Sequence, residues 1–321
     1  MLSFPDFKEK QILFVKAGQN GGNEKIKINN ENIAYLKDGK IINQLSAHKV
    51  FALFIIGEAS VTTGLIKKCR ELGVSLFLLK NNFEVYGKVI AEAEGNYLLR
   101  QRQYGLNEAK ELVLAKNVVK NKLLNQLALL KQNNLIISNE VEAKEKIIQQ
   151  KISLAASGKE LLGLEGAFTK EYFAAFFKEM NWHKRLPRTK VDITNLLMDI
   201  GYTFLFNFIE AMLALYGFDA YKGFYHKLFF QRKSLACDLM EPFRCLIDKQ
   251  IVKAYHLKQI NEKDFKLEKG RYFLPFDKQQ KYIKLFLDGL MDYKEGIFIY
   301  VYDFYRCLMN DDKELPSFKI K

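Results

Sequence analysis

The sequence predicts an α+β protein in which a β-rich N-terminal domain, residues 1–95, precedes a larger all-α domain, residues 96–321. A change of pattern supports this division. Before residue 95, short segments rich in β-branched and aromatic residues, such as QILFVKAG and VSLFLLKNNFEVYGKVIA, alternate with Gly and Asn turns. Beyond Asn96, long segments place apolar residues at helical spacing and start with Asn, Ser or Asp, which are common N-caps.

The β-rich domain contains one predicted helix. The segment SVTTGLIKKCRELG, residues 60–73, has Ser60 as a candidate N-cap and Gly73 as a stop. The segment NNFEVYG predicts a turn between two strands. The apolar strands FALFIIG and VSLFLL are either internal core or an isologous interface with a second copy of the chain.

In the second domain, three long helices are predicted to start at Asn107, Asn139 and Asp192. The segment HKLFFQRKSLACDLMEPFR, residues 226–244, is predicted to form an apolar helix that packs through residues such as Leu235. No internal repeat or low-complexity tail is apparent. We therefore expect the second domain to be all-α.

Composition restricts the class of partner. The chain has 50 Lys and Arg against 37 Asp and Glu, a formal charge of +13, which favours a polyanion such as nucleic acid. Biased codon usage also enriches Lys, so charge alone does not name a substrate. The four cysteines show no CxxC pair, indicate neither a zinc ribbon nor a disulfide framework, and suit a reducing cytoplasm. We expect neither export nor membrane insertion, because no signal peptide or long apolar stretch is present.

Four polar residues of the second domain lie in apolar surroundings: Glu165, His226, Asp238 and Glu241. Each has an ordinary structural explanation. Glu165 can form an ion pair, and His226 can be hydrogen-bonded in the core. Asp238 and Glu241, three apart on one helix face, repel each other unless a nearby Arg, Lys or metal ion offsets their charge. Together, these carboxylates and the imidazole form a donor set that suits Mg²⁺ or Mn²⁺ better than structural zinc.

Four stretches give the chain a resemblance to a known family. They are GEASVTTGLIKKCRELGVSLFLL, NYLLRQRQY, LLGLEGAFTKEYF and GFYHKLFFQRKSLACDLMEPFR, and they spread over residues 57–244. In type and order they resemble the CRISPR-associated spacer integrase, the larger subunit of CRISPR adaptation machineries. The resemblance implies a β domain followed by an α-helical catalytic domain, in agreement with the change of pattern at residue 95.

The resemblance also implies a catalytic metal site. Its ligands and catalytic residues would be Glu165 in the LxGxEG motif, His226 before the basic segment and Glu241 at the end of the DLxE motif. Many family members have Asp at the last position, and Asp238, one turn earlier, is a possible alternative ligand or orienting residue. The implied cofactor is Mg²⁺ or Mn²⁺. In the implied reaction, a DNA 3′-hydroxyl attacks a phosphodiester at the edge of a CRISPR repeat, and the ion stabilises the developing charge.

The implied partners are double-stranded DNA, as spacer precursor and as repeat, a second copy of the chain and a small ferredoxin-like companion subunit. No membrane is implied, and the β domain is expected to form the homodimer. Two other functions remain open. One is a stand-alone metal-dependent nuclease of branched DNA, with water as the nucleophile. The other is a non-catalytic DNA-binding subunit in which Asp238 or Glu241 is paired with Arg244.

Basic residues cluster near the implied site, where they can contact phosphates without reading sequence or can simply form a solvated surface. Asn195 and Tyr202, on the helix that starts at Asp192, either line the site or serve in capping and core packing. The DNA-binding candidates are Lys184, Arg185, Arg188, Lys190, Lys227, Arg232, Lys233 and Arg244.

Overall fold

Strands form the N-terminal part of the protein and helices dominate the rest, which confirms the α+β class. The last strand of the N-terminal part ends at Val89 and the next helix begins at Tyr97. A computed structural model describes residues 3–18, 23–91, 93, 95–180, 182–226, 229–310 and 314–321.

Within the described residues, the N-terminal part forms two four-stranded sheets accompanied by two short helices. In chain order the elements are α1 (Phe4–Lys8), β1 (Gln11–Lys16), β2 (Glu24–Asn29), β3 (Asn32–Lys37), β4 (Lys40–Ser46), β5 (Val50–Ile56), β6 (Ser60–Val61), α2 (Thr63–Glu71), β7 (Ser75–Leu79) and β8 (Val85–Val89). The first sheet has the order β1-β5-β7-β8 and is parallel except for β8. The second sheet has the order β4-β3-β2-β6, and its β2–β6 pair is parallel.

The first sheet is covered on both faces. One face contributes Leu53 and Ile55 to a core shared with α2 and with Ile26 of the second sheet. On the opposite face, the ring of Phe54 lies 5.3 Å from that of Phe204 in the helical part. A strand buried on both faces needs apolar residues at successive positions, which explains the uninterrupted apolar run of β5.

This burial corrects the expectation for the dimer interface. The strands FALFIIG and VSLFLL are β5 and β7, the two inner strands of the first sheet. Every residue of β5 is buried within the chain. The strands β5 and β7 are therefore internal core, and they offer no surface to a second copy of the chain. The edge strand β4 of the second sheet instead exposes Ile41 and Ile42, by 46% and 59%.

Helix α2 starts later than predicted. Ser60 belongs to β6, and the N-cap is Thr62, whose hydroxyl accepts a hydrogen bond from the amide of Leu65 at 3.2 Å. Gly73, just beyond the helix, has a φ of +70°. That conformation favours glycine, so the predicted stop is confirmed.

The C-terminal part is helical with one exception. A short antiparallel hairpin interrupts the helices, so the all-α prediction is wrong at that point. In chain order the elements are α3 (Tyr97–Tyr104), α4 (Glu108–Gln132), α5 (Ser138–Leu154), α6 (Gly158–Phe176), α7 (Ile193–Tyr216), α8 (Ser234–Met240), α9 (Arg244–His256), β9 (Lys266–Glu268), β10 (Arg271–Phe273), α10 (Gln279–Met291) and α11 (Lys294–Met309).

Two of the three predicted helix starts are confirmed. The side chain of Asn107 accepts a hydrogen bond from the amide of Lys110 at 2.9 Å and caps α4. Asp192 caps α7 through the amide of Asn195 at 2.6 Å. Asn139 lies inside the first turn of α5, which has no side-chain cap.

Helix α7 is the central helix of the core. Among the described residues it is the one helix whose length and composition would allow a membrane crossing, but 83% of its most apolar window is buried inside the protein. It is therefore packed as the core helix of a globular domain.

Residues 226–244 do not form the continuous helix that was predicted. The described residues before Ser234 are irregular, α8 follows, and a 3-10 turn spans Glu241–Phe243 before α9 begins. Pro242 lies in this turn and has no amide proton to continue an α-helical hydrogen-bond pattern. The break gives Glu241 a different environment from that of Asp238.

Candidate active site

A cleft of about 1630 Å³ lies between the helical part and the β7–β8 hairpin. Its lining includes Glu165 of α6, His226 of the segment before α8 and Glu241 of the 3-10 turn. The three residues implied as catalytic therefore face one cleft, although they come from three separate segments of the chain.

A lysine that was not singled out in the sequence lies between the two carboxylates. The ammonium of Lys122, on α4, donates hydrogen bonds to Oε1 of Glu165 and to Oε2 of Glu241, the latter at 2.6 Å. Lys122 is only 6% exposed. Burial by itself would lower its pKa, but the charges of Glu241 and Glu165 outweigh burial and raise the pKa. The ammonium is therefore charged at neutral pH.

Asp238 holds His226 in place and faces away from Glu241. Its Oδ1 accepts hydrogen bonds from the backbone amide of His226 at 2.8 Å and from the ring Nδ1 at 2.6 Å. Its Oδ2 accepts from the amides of Phe224 and Tyr225 at 2.7 and 3.0 Å. Both oxygens of this fully buried carboxylate are thus occupied, which suits an orienting role and leaves no lone pair directed at the cleft.

Gly223 makes the contact with Asp238 possible. A Cβ atom at this position would lie 2.6 Å from Oδ2 of Asp238 and 2.8 Å from the backbone of Ser234. The glycine lets the chain pass close to α8, so that three successive amides reach one carboxylate. The expected repulsion between Asp238 and Glu241 is avoided because each carboxylate has its own donors.

Glu241 is held in its ionised form. Burial would raise its pKa, but Arg244, Lys122 and His226 outweigh burial and hold the pKa at about 2. Nε of Arg244 lies 3.0 Å from Oε1 of Glu241, in an ionic contact without hydrogen-bond geometry. This buried Nε has no hydrogen-bond partner among the described residues. Arg244 therefore forms an ion pair with Glu241 while its side chain lines the cleft.

Tyr225 and His226 complete the inner surface of the site. The hydroxyl of Tyr225 donates to Oε2 of Glu165, so both oxygens of Glu165 have donors. Since Nδ1 of His226 faces Asp238, its Nε2 is the ring nitrogen nearer Glu241, 3.9 Å from Oε1. The ammonium of Lys122 thus lies between two carboxylates, and one of them, Glu241, also faces the imidazole of His226.

Tyr202 lies in the cleft wall and connects it to a buried acid. Its hydroxyl donates to Asp248 at 2.7 Å, and Tyr172 donates to the same carboxylate at 3.2 Å. Burial raises the pKa of Asp248 to about 6, although both tyrosine hydrogen bonds oppose the rise. The guanidinium of Arg244 lies 4.8 Å from the centre of the Tyr202 ring. Tyr202 thus supports Arg244 as well as lining the cleft.

Most of the basic candidates line the same cleft, but they are not equally available. Arg185 is paired with Asp199, and Lys233 is paired with the buried Glu210. Lys88, which was not singled out in the sequence, also lines the cleft and contacts Glu210. Lys227 lies outside the described residues. The candidates in the cleft lining are Lys184, Arg185, Arg188, Lys190, Arg232, Lys233 and Arg244.

Asn195 lies behind the cleft wall and has no exposed surface. Its Oδ1 accepts hydrogen bonds from Nη1 of Arg185 at 2.9 Å and from the amide of Leu186 at 2.8 Å. Its Nδ2 donates to the carbonyl of Lys184 at 3.0 Å. Asn195 therefore does not line the site. It fixes the basic loop against α7.

The last residues of the chain, which we call the C-terminal strap (residues 314–321), pack beside the acidic site. Phe318 contacts Phe243 of the 3-10 turn, with ring centroids 4.7 Å apart. Asn125 donates to the carbonyls of Phe318 and of Pro242, at 3.0 and 3.3 Å. Backbone groups of the strap form hydrogen bonds with a row of buried asparagines on α4. A strap carbonyl accepts from Asn117, and strap amides donate to Asn121 and Asn125.

The site residues that sequence reasoning missed differ in how far the sequence could have indicated them. The three asparagines recur every four positions on a predicted helix, a spacing that indicates one face. Lys122 lies on a helix among both polar and apolar positions, and nothing local indicates that its partners come from α6 and the 3-10 turn. Its role depends on tertiary contacts.

This basic, acid-lined cleft suits a polyanionic ligand such as nucleic acid. The sequence matches the family model described as CRISPR associated protein Cas1 over residues 20–288. The match covers most of the chain, so the chain belongs to the Cas1 family, several of whose members are named CRISPR-associated endonucleases. The resemblance seen in the four sequence stretches is thereby confirmed.

Individual relatives agree with this assignment. The chain is 26% identical to a CRISPR-associated endonuclease Cas1 of Thermodesulfovibrio yellowstonii over 275 residues, covering 81% of this chain and 86% of the relative. Its fold is similar to that of a casposase bound to an integration product, with a TM-score of 0.78 at 19% identity over 95% of this chain and 92% of the casposase. It is also similar to a chain of a Cas6-RT-Cas1–Cas2 complex, with a TM-score of 0.78 at 23% identity over 98% of this chain and 36% of that chain.

Proposed function

We propose that this protein is a metal-dependent integrase that joins short DNA segments to a CRISPR repeat, with DNA endonuclease activity. The observation that carries the proposal is the convergence of Glu165, His226 and Glu241 on one basic cleft, where two carboxylates already share a cation. In the proposed reaction, a 3′-hydroxyl attacks a phosphodiester and displaces another 3′-oxygen, so one phosphodiester replaces another and no ATP is needed.

The donor chemistry fits Mg²⁺ or Mn²⁺. Oxygen ligands with one imidazole are typical of these hard ions, and the ammonium of Lys122 demonstrates that a cation is accommodated between Glu165 and Glu241. Among the described residues, no three His, Cys, Asp or Glu side chains are already arranged as a metal site. Metal binding therefore requires Lys122 to give up contacts with these carboxylates.

The chain's own residues would have distinct roles in the reaction. Glu165, His226 and Glu241 would hold the ion, which supplies Lewis-acid stabilisation of the phosphoryl charge. Asp238 would fix the ring of His226 through Nδ1 and keep Nε2 directed at the site. Arg244, which lines the cleft with a side chain that is 27% exposed, would donate to a phosphate oxygen.

The basic lining would bind DNA through phosphates and not through bases. Lys184 and Arg188 are exposed on the loop before α7, and Arg232 and Lys233 lie at the start of α8. If the protein contacts about six phosphates, raising the salt concentration from low to physiological should lower its affinity for DNA by roughly 10³-fold. A DNA affinity that does not change with salt would contradict this part of the proposal.

We also propose that the protein acts in the cytoplasm as a homodimer with a small ferredoxin-like companion subunit. The likeness to a chain of a Cas6-RT-Cas1–Cas2 complex supports a companion of that kind. Since β5 and β7 are internal, we place the dimer contact at the edge strand β4, where Ile41 and Ile42 are exposed. A double substitution of these two residues by Ser should give a monomer in light scattering.

An integration assay tests the function. Labelled duplex and a repeat-containing plasmid are incubated with the protein and Mg²⁺ or Mn²⁺, with and without the companion subunit. Glu165→Gln should reduce joining to near background, because the neutral amide is a poor ligand for the ion. Glu171→Gln is the matched control, since Glu171 lies on the same helix but its side chain is 65% exposed and paired with Lys144.

The product distinguishes the alternatives. Labelled duplex joined to plasmid supports integration. Cut fragments without joining would indicate the nuclease of branched DNA. If neither metal nor Glu165→Gln changes any joining or cleavage, the protein is a non-catalytic DNA-binding subunit.

A further inference from the structure

Lys122 is the feature of the site that the proposed chemistry does not use. It projects from α4 into the floor of the cleft, is 6% exposed, and contacts both acidic residues that would hold the ion. Its ammonium therefore lies where a divalent cation would have to bind the same two carboxylates.

The charges of the site are nearly balanced without a metal. Glu165, Glu241 and Asp238 contribute three negative charges, and Lys122 and Arg244 contribute two positive charges in direct contact with the two glutamates. A His226 that binds the ion through Nε2 is uncharged, with its Nδ1 hydrogen-bonded to Asp238. A divalent ion added to this set would leave an excess of one positive charge in a poorly solvated cleft, where charge is costly. An anion that enters with the metal would remove that excess.

DNA phosphate is the anion that the cleft can receive. Lys122 and Arg244 both line the cleft, and the side chain of Arg244 is 27% exposed. The flexible four-carbon side chain of Lys122 lets its ammonium exchange a carboxylate for a phosphate oxygen. A phosphate oxygen would thus replace the carboxylate contacts that Lys122 loses when the metal binds Glu165 and Glu241.

We infer that Lys122 is an internal counter-cation that occupies the metal position and makes metal binding depend on DNA phosphate. Without DNA, the ammonium competes with the ion for Glu165 and Glu241. With DNA, the ammonium turns to phosphate and the carboxylates become available. By linkage, the metal must strengthen DNA binding by the same factor as DNA strengthens metal binding. The inference rests on the proposed metal-dependent function.

The test measures binding and not turnover. Mn²⁺ is titrated calorimetrically into the full-length protein, with and without a short DNA duplex whose 3′ ends are dideoxy and cannot react. For the wild type, we expect DNA to strengthen Mn²⁺ binding by about tenfold or more. For Lys122→Met, Mn²⁺ should bind tightly without DNA, and the effect of DNA should fall to about twofold or less.

Two further variants control for charge and folding. Lys120→Met removes a lysine from an exposed position of the same helix, and its metal coupling should match that of the wild type. Lys122→Arg keeps a cation between the carboxylates and should retain the coupling. Without metal, Lys122→Met should melt at a lower temperature than Lys122→Arg, and Mn²⁺ should restore most of the difference.

Each outcome has a defined meaning. If DNA does not change Mn²⁺ affinity in the wild type, the inference is wrong whatever the variants do. If Lys122→Met folds and retains the wild-type coupling, Lys122 is only structural. If the wild type binds no Mn²⁺ even with DNA, and Glu165→Gln gives the same result, the proposed metal-dependent function itself fails.

Discussion

Replacing Glu241 by Gln should lower both stability and activity, and the loss of stability should depend on pH in a defined way. Gln has nearly the shape of Glu but cannot pair ionically with Lys122 or Arg244. Both cations would then lie beside a neutral amide. Lys122 would keep its contact with Glu165, whereas Arg244 would lose the carboxylate that it contacts. The substitution therefore tests whether the observed ion pairs hold Glu241 ionised.

The magnitude follows from the pKa of Glu241, which is about 2 in the folded protein against an ordinary value of 4.5. A difference of one pKa unit corresponds to 1.36 kcal/mol, so the ionised carboxylate contributes about 3 kcal/mol at pH 7. Because the folded-state pKa is depressed, this contribution is complete above pH 4.5 and disappears as the pH falls towards 2. Near pH 3.5 it should amount to about 2 kcal/mol.

Urea unfolding of the wild type and of Glu241→Gln, at neutral and acidic pH without metal, measures this difference. Glu171→Gln, which removes an exposed carboxylate from α6, is the control and should show little pH-dependent difference from the wild type. A wild-type advantage that stays constant between pH 7 and 3.5 would show that Glu241 is not held ionised by its neighbours. An active variant of wild-type stability would also refute the role of Glu241 as a ligand.

Two other substitutions test neighbouring parts of the site. Burial raises the pKa of Asp248 to about 6, so its contribution to wild-type stability should fall as the pH rises from about 4 to 6. In thermal unfolding, Asp248→Asn should reduce the change of melting temperature over this pH range. An unchanged slope would contradict the shifted pKa. Phe318→Ala should destabilise the protein by about 3 kcal/mol in urea unfolding, because it leaves a cavity against Phe243. The control Lys319→Ala, at an exposed position, should leave stability unchanged. Equal effects of the two substitutions would contradict the packing of the strap.

The fold class was predictable because local patterns follow the final burial. The continuous apolar run of β5 reflects a strand covered on both faces, and the caps at Asn107 and Asp192 mark real helix starts. The same pattern could not decide whether β5 and β7 are internal core or an interface with a second copy. An apolar strand shows that it is buried but does not show what buries it, and here the cover is α7 on one face and the second sheet with α2 on the other.

The site was predictable in part. Motifs placed Glu165, His226 and Glu241 in one set, and the structure brings them to one cleft. The separate environments of Asp238 and Glu241 could not be read from their spacing, because Pro242 replaces the expected helix by a 3-10 turn. Lys122 could not be found either, since its partners are 43 and 119 residues away along the chain.

The position of the acidic site is controlled from α4, which contacts it in two ways. On the cleft side, Lys122 binds Glu241 directly. Towards the C-terminal strap, Asn125 binds the carbonyl of Pro242, the residue that follows Glu241, and also the carbonyl of Phe318. The 3-10 turn is thus held through its side chain and its backbone by one rigid helix. In the exchange that we propose for Lys122, the hydrogen bond from Asn125 would still hold the turn, so the carboxylate of Glu241 would become available to a metal without loss of its position.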